Sequence, residues 1–482
     1  MLFRSNLTSS AAAITLALNN TSPAGTLNGT LTVSALLGVA TFNDLSVDTG
    51  GSNFKLDASS GVLTGATSST FDVVSSPTLQ FSALTAGAVY RAPAANRVYV
   101  RTSSAGSFTL TATPAGQASY AFPSLTGWTR TPLTNGSSNT VTYTESGDNA
   151  GSTGNSVTYA TAGAVTSAAS TFDVVADPNA PTGGAVSASA TTSASGGLTL
   201  TVTAATDAGS GIATRSLQRY REPLSGGTCS AFALDNTDAD GSASAVSGSG
   251  TVPVSGLSTG CYEWVLTATD NVGNTQTTTT AVVKVDRSAP STPTLTSLVP
   301  SGDAYYSGTG TTVYVKAGVG ATTTFAVTVA TADSDSGIAS LTFPTIAGFT
   351  RSVSGSTATY TAATPSVSDG GTGLVSSTNG VGTPSDSQLS FSVVIDGAAP
   401  TSTGLSAPAS PISYSTTGAT TVTWGSFADA GSGLASLTAK REVSTLASNA
   451  CSGSWSTDTG YPASLSLGAT SLASQTDLVS GS

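Results

Sequence analysis

The sequence predicts an all-β protein, a run of tandem β-sandwich domains set end to end as a rod. Three observations predict it. The chain has 482 residues of which only 9% are charged. Its apolar residues alternate with Thr and Ser at the two-residue period of a strand. A proline-containing phrase recurs at the spacing of one sandwich.

Length comes first. A sandwich of this kind takes roughly 100 residues, so the chain holds roughly three to five domains, each able to bury a core. Composition agrees, with Ser, Thr, Gly and Ala dominant and Val, Leu, Phe and Tyr interleaved among them. Asp outnumbers Glu by 22 to 4. That ratio fits turns built on Asp side chains and disfavours surface helices built on Glu and Lys, so almost no helix is expected.

The recurring phrase is Val175-Ala176-Asp177-Pro178-Asn179-Ala180-Pro181, Val285-Asp286-Arg287-Ser288-Ala289-Pro290 and Ile395-Asp396-Gly397-Ala398-Ala399-Pro400. Its last prolines are 109 and 110 residues apart (290−181, 400−290). Val74-Ser75-Ser76-Pro77 is a looser relative upstream. Proline has no amide proton and a fixed φ, so it ends a last strand and stiffens a short link. Domains are therefore expected at 1–76, 77–177, 178–286, 287–396 and 397–482.

These five are of more than one type. Val98-Tyr99-Val100-Arg101 and Phe122-Pro123-Ser124-Leu125-Thr126-Gly127-Trp128-Thr129-Arg130 in the second answer Val313-Tyr314-Val315-Lys316 and Phe343-Pro344-Thr345-Ile346-Ala347-Gly348-Phe349-Thr350-Arg351 in the fourth. The third and fifth share Asp207-Ala208-Gly209-Ser210-Gly211 and Asp429-Ala430-Gly431-Ser432-Gly433. The offsets agree at 221 (343−122) and 222 (429−207). A two-domain unit has been duplicated behind a first domain of another type, as suits a spacer whose length is its main property.

Strands read most clearly in the third domain. Tyr262, Trp264, Leu266 and Ala268 alternate, meet the turn Asp270-Asn271-Val272-Gly273-Asn274, and return with Ala281, Val283 and Val285 on one face. In the first domain Ile14, Leu16 and Leu18 share a strand face, so the N-terminal stretch is read as strand rather than signal peptide. On that reading the chain begins within a longer protein.

The run from Tyr262 to Asn274 resembles bacterial immunoglobulin-like repeats and the fibronectin type III-like modules of large extracellular proteins, adhesins among them. The resemblance covers essentially the whole chain and implies tandem immunoglobulin-like β-sandwiches in an extracellular or cell-surface setting. It implies no activity. Antibody-type domains set two inter-sheet cysteines about a Trp, whereas Cys261 lies on the strand face opposite Trp264.

The cysteines add their own arithmetic. Cys229 and Cys261 are 32 residues apart, and Cys451 aligns with Cys229 at the duplication offset of 222. The counterpart of Cys261 would fall at position 483, beyond Ser482. This predicts a Cys229–Cys261 disulfide in an oxidising compartment, a Cys451 without its mate, and a fifth domain lacking its last two strands.

Chemistry is constrained by what the chain does not contain. With no histidine, Ser-His-Asp and Cys-His catalysis and most zinc and copper sites are excluded. Glu145, Glu222, Glu263 and Glu442 stand in unrelated contexts, without the recurring partner a glycosidase needs. A net charge of −11 with 15 Lys and Arg gives no footprint for nucleic acid. Arg215, Arg219 and Arg221 share one strand face, read as solvated. No apolar run is long enough for membrane insertion. Asn6, Asn20, Asn28 and Asn135 open Asn-x-Ser/Thr triplets that a Ser/Thr-rich chain produces by chance.

Two Asp groups are candidate calcium ligands, Asp333 with Asp335, and Asp235 with Asp238 and Asp240, since carboxylate oxygens on a turn suit that ion. The competing reading is a turn in which one Asp accepts backbone amides while Gly takes a positive φ. No other cofactor is expected. Trp128, Tyr305, Tyr306 and Trp455 are candidate sugar platforms, although Trp128 aligns with Phe349 as a core position would.

The sequence thus reads as a non-catalytic stalk of a secreted or cell-surface bacterial protein. Its partners are the flanking domains of its own polypeptide, and any weak adhesion to a glycan or protein is carried by surfaces. An accessory carbohydrate-binding array of a polysaccharide-degrading enzyme and a phage decoration protein are the alternatives.

Overall fold

Alternation of small polar and apolar residues along Arg97–Val100 and Ser107–Thr113 turns every second side chain inward, and Val98, Val100, Phe108, Leu110 and Ala112 are fully buried. The same period buries Tyr262, Trp264, Leu266 and Ala268 along Gly260–Asp270. The computed structural model describes residues 2–4, 11–19, 25–61, 63–93, 95–102, 105–147, 151–235, 244–403, 405–406, 423–447, 450–451 and 453–465. Every regular element among them is a β-strand.

Within 77–177 one sheet runs Thr78–Ser82, Ser107–Thr113, Thr140–Glu145, Trp128–Thr131. The other runs Val89–Arg91, Arg97–Val100, Ser170–Ala176, Ser152–Ala160, Ser119–Ala121. Within 287–396 the order is repeated strand for strand, from Thr294–Ser301 to Phe349–Ser354 and from Ala304–Tyr306 to Ile338–Thr342. In both, the last strand lies parallel to an early one, Ser170–Ala176 beside Arg97–Val100 and Leu389–Asp396 beside Thr312–Lys316.

The two cores also match. Phe108 stacks on Tyr143 at 5.1 Å and meets Trp128 edge-on at 5.3 Å, while Phe325 stacks on Tyr360 at 4.8 Å and meets Phe349 edge-on at 5.3 Å. The Tyr hydroxyls cap the same loop, Tyr143 donating to Pro123 O at 2.7 Å and Tyr360 to Pro344 O at 2.8 Å. Arg130 and Arg351 donate to the carbonyls of Phe122 and Phe343.

The segment 178–286 is built differently, with three strands, Ala185–Ala188, Leu198–Thr203 and Gly250–Val254, facing a larger sheet centred on Ile212–Glu222 and Gly260–Asp270. Its return strand is broken. Thr275–Thr279 and Val283–Val285 pair separately with Gly260–Asp270, and Ala281 between them is exposed, contrary to the expected shared face. The kink lets Val283 and Val285 pack inward where Thr275–Thr279 alternates with solvent.

The first segment buries Leu16, Phe54, Leu56 and Ala58, with Ile14 and Leu18 packed at the edge of that core. In the last, Leu437–Val443 pairs with Ser456–Leu465. The strands expected to be missing there would follow residues that lie outside the described ones.

Candidate functional site at the domain joints

Strand order carries the end of each last strand to the tip of its sandwich, and an aspartate stands there in three places. Asp177, the first residue after Ser170–Ala176, is 2% exposed. Its amide donates to Val100 O at 2.8 Å, which completes the parallel ladder. Its Oδ2 accepts the Ser210 amide of the following sandwich at 2.6 Å. Asp286 does the same to the Ser336 amide at 3.2 Å, and Asp396 to the Ser432 amide at 2.8 Å.

The receiving turn is the Asp-and-Gly loop. Asp207 Oδ1 accepts Gly209 N and Gly211 N, Asp429 Oδ1 accepts Gly431 N and Gly433 N, and Asp333 Oδ1 accepts the amides of Asp335, Ser336 and Gly337. Gly211, Gly337 and Gly433 have φ of 79°, 73° and 82°, a conformation open to Gly at little cost. Folded this way, the turn presents amides outward to the incoming aspartate.

A third side chain comes from the hairpin turn behind the loop. At the 286 joint it is Asn379, fully buried, whose Nδ2 donates to Asp286 Oδ2 at 3.0 Å, Asp333 Oδ2 at 3.3 Å and Ser288 O at 3.0 Å. Ser336 Oγ adds a 2.5 Å bond to Asp286 Oδ2 and Ser288 Oγ a 2.8 Å bond to Oδ1. Burial pushes the Asp286 carboxyl up, but the bonds from Ser336 and Ser288 outweigh it and hold it below the usual carboxylate range.

At the 177 joint the third residue is Asp270, 1% exposed. Its Oδ1 accepts Val272 N and Asn274 N, and its Oδ2 accepts Asn274 Nδ2 at 2.8 Å. Asp177, Asp207 and Asp270 each bring a carboxylate oxygen within 4.8 Å of the other two.

A second clasp joins the third and fourth sandwiches. The loop after Ile212–Glu222 sends Gly226 N to Ser334 O at 2.9 Å and Gly227 N to Asp335 O at 2.8 Å. Lys284 Nζ holds Gly227 O at 2.7 Å. Cys229, on the same loop, is bonded to Cys261 of the central strand. Glu222 lies beside these sulfurs, but disulfide sulfurs are not thiolate ligands.

The sequence-predicted site residues are placed as follows. Asp333 and Asp335 are not a shared carboxylate pair: Asp333 is held by amides and Asn379, and Asp335 Oδ2 accepts Ser288 Oγ at 3.0 Å. Asp235 forms a buried ion pair with Arg219 at 2.7 Å, and Asp238 and Asp240 lie outside the described residues. The arginine face is correspondingly not solvated. Arg219 is 3% exposed, Arg219 and Arg221 both stand 5.8 Å from the Tyr262 ring, and Arg215 donates to Ala205 O. That face is the inner one, shared with Leu217. Trp128 is in the core of its sandwich, Tyr306 packs against the core of its own, and exposed Tyr305 and Trp455 lie in different segments.

Sequence reading missed Asp177, Asp270 and Asn379. For Asp177 a signal was present: besides their closing Ala-Pro, all three linker phrases keep an Asp, while its neighbours vary from Ala176 to Val285 and Ile395, and from Pro178 to Arg287 and Gly397.

No protein-family model matches the chain, and no curated protein matches it. Solved structures similar to it include the titin I-band fragment I67–I69, at 10% identity and TM-score 0.30 over 67% of this chain and 99% of that one. The fibronectin(III)-like modules of Clostridium thermocellum CbhA match at 14% and 0.24 over 44% and 95%. Mouse Cadherin-23 EC22-24 matches at 15% and 0.20 over 66% and 100%. By its own strand order, the chain is a run of immunoglobulin-like and fibronectin type III-like β-sandwich repeats.

Proposed function

We propose that this chain is a non-catalytic spacer in a secreted or cell-surface bacterial protein, a rod whose sandwiches are fixed end to end by bonded joints. The observation that carries the reading is the aspartate at the end of a last strand, bonded into the next sandwich's turn at 177, 286 and 396. A flexible string of domains has no use for carboxylates fixed this way, buried at 177 and 286 and half-buried at 396, because burying a charge without fixed donors is costly. The disulfide suits an oxidising, extracytoplasmic compartment. The turn carboxylates of Asp207, Asp333 and Asp429 each give one oxygen to backbone amides of their own turn.

Electron micrographs of the purified chain test this. The expected particle is elongated, roughly 150–200 Å from five globules of R_g about 13 Å in line. A compact particle, or turnover of a polysaccharide by the purified chain, contradicts it.

A further inference from the structure

The geometry points to a divalent-cation site of the calcium class at the 177 joint, formed by Asp177, Asp207 and Asp270 with Ser210 Oγ, and to its deliberate counterpart without metal at the 286 joint. This goes beyond the spacer reading and does not depend on it.

Three carboxylates have oxygens within 4.8 Å of one another, and two of the residues are only 1–2% exposed. Backbone amides satisfy one side of each group: Asp177 Oδ2, Asp207 Oδ1 and Asp270 Oδ1. Asp177 Oδ1 and Asp207 Oδ2 accept no hydrogen bond from the described residues, and none of the three carboxylates is ion-paired with a described Lys or Arg.

Ser210 supplies the independent observation. It is 5% exposed, its amide is 2.6 Å from Asp177 Oδ2, and its Oγ is buried with no partner. Its counterpart Ser336 uses that hydroxyl to bond Asp286 Oδ2 at 2.5 Å. The same serine is therefore satisfied at one joint and left as a free oxygen donor at the other.

The 286 joint shows what replaces the ion. Asn379 Nδ2, a neutral donor, bridges Asp286 Oδ2 and Asp333 Oδ2. Where Asn379 donates to two carboxylates, Asp270 can only accept; Asn274 Nδ2 meets Asp270 Oδ2 at 2.8 Å and otherwise bonds the Asp177 and Asn179 carbonyls, so among the described residues no side-chain donor bridges Asp177 to Asp207, a place a cation would fill. The donors are all hard oxygens, which suits Ca²⁺ with its six to eight ligands, water completing the shell, and disfavours soft metals.

The test is calorimetric titration of CaCl₂ into the EDTA-treated full chain, with Asp270→Asn and Asn379→Asp as paired variants. The wild type is expected to bind one more Ca²⁺ than Asp270→Asn, which should bind about 100-fold more weakly at this joint. Asn379→Asp is expected to add a site. Hydrogen exchange on the wild type keeps the idea testable if a variant does not fold: Ca²⁺ should slow exchange of the Ser210 and 271–274 amides. Equal stoichiometry and affinity in the wild type and Asp270→Asn, or exchange at those amides indifferent to Ca²⁺, overturns the site.

Discussion

Gly209 and Gly431 are glycines for a reason other than backbone freedom, since neither has a positive φ. A Cβ on Gly209 would lie 2.5 Å from Cγ and both oxygens of Asp177, and one on Gly431 would lie 2.5 Å from Cγ of Asp396. The turn must let the joint aspartate approach its backbone. Gly209→Ala should therefore destabilise the 177 joint by about 1–3 kcal/mol. Gly136→Ala, in open space, should stay within about 0.5 kcal/mol in the same thermal unfolding series. Asp286 makes the 286 joint sensitive to acid. Its folded pKa is depressed, so its contribution is present above the unfolded value of about 3.9 and is lost as pH falls through the folded one. Asp396, held low by Ser432, acts in the same sense. Unfolding temperatures from pH 7 down to pH 2 should fall less steeply in Asp286→Asn than in the wild type; parallel curves would show that Asp286 is not the group responsible. The turn aspartates 207, 333 and 429 were legible, because Asp with Gly at that spacing has one local solution. Asp177 and Asp270 were not, because their partners come from separate segments that only the fold brings together.

The period-two pattern located the central strand Gly260–Asp270 and the cysteine arithmetic its bond to Cys229, since both rest on spacing within the chain. The same pattern put the arginines of Ile212–Glu222 on a wet face, and the fold turned that face inward. Period alone says which residues share a side. It does not say which side is covered, and here Asp235 and the Tyr262 ring make a buried Arg219 tenable. The disulfide acts at this scale too, because it closes a loop of about 33 residues, worth roughly 3–4 kcal/mol on the chain-entropy model. It also anchors the loop that bonds the next sandwich. A Cys229→Ser, Cys261→Ser double variant should lose about that much stability in the 178–286 sandwich and should exchange the Gly226 and Gly227 amides faster. Unchanged exchange there would separate the disulfide from the clasp.

Across the molecule, two sandwiches of one strand order, 77–177 and 287–396, flank one of another, and the same aspartate-to-turn contact recurs at three of the joints between segments. At the first joint the contact is apolar instead, with Val74 packed against the core of the sandwich that follows. The phrases shared by 77–177 and 287–396 accompany one strand order, whereas the joints were not legible, because a linker sequence reads as spacing until its side chains have somewhere to go. The central claim is that these aspartates hold the chain straight. Small-angle X-ray scattering on the full chain and on an Asp177→Ala, Asp286→Ala, Asp396→Ala variant tests it most directly. The account predicts a maximum dimension of roughly 150–200 Å for the wild type, with a shorter and broader distance distribution for the variant at unchanged strand content by circular dichroism. A compact wild type, or a variant whose scattering superposes on that of the wild type, would contradict it.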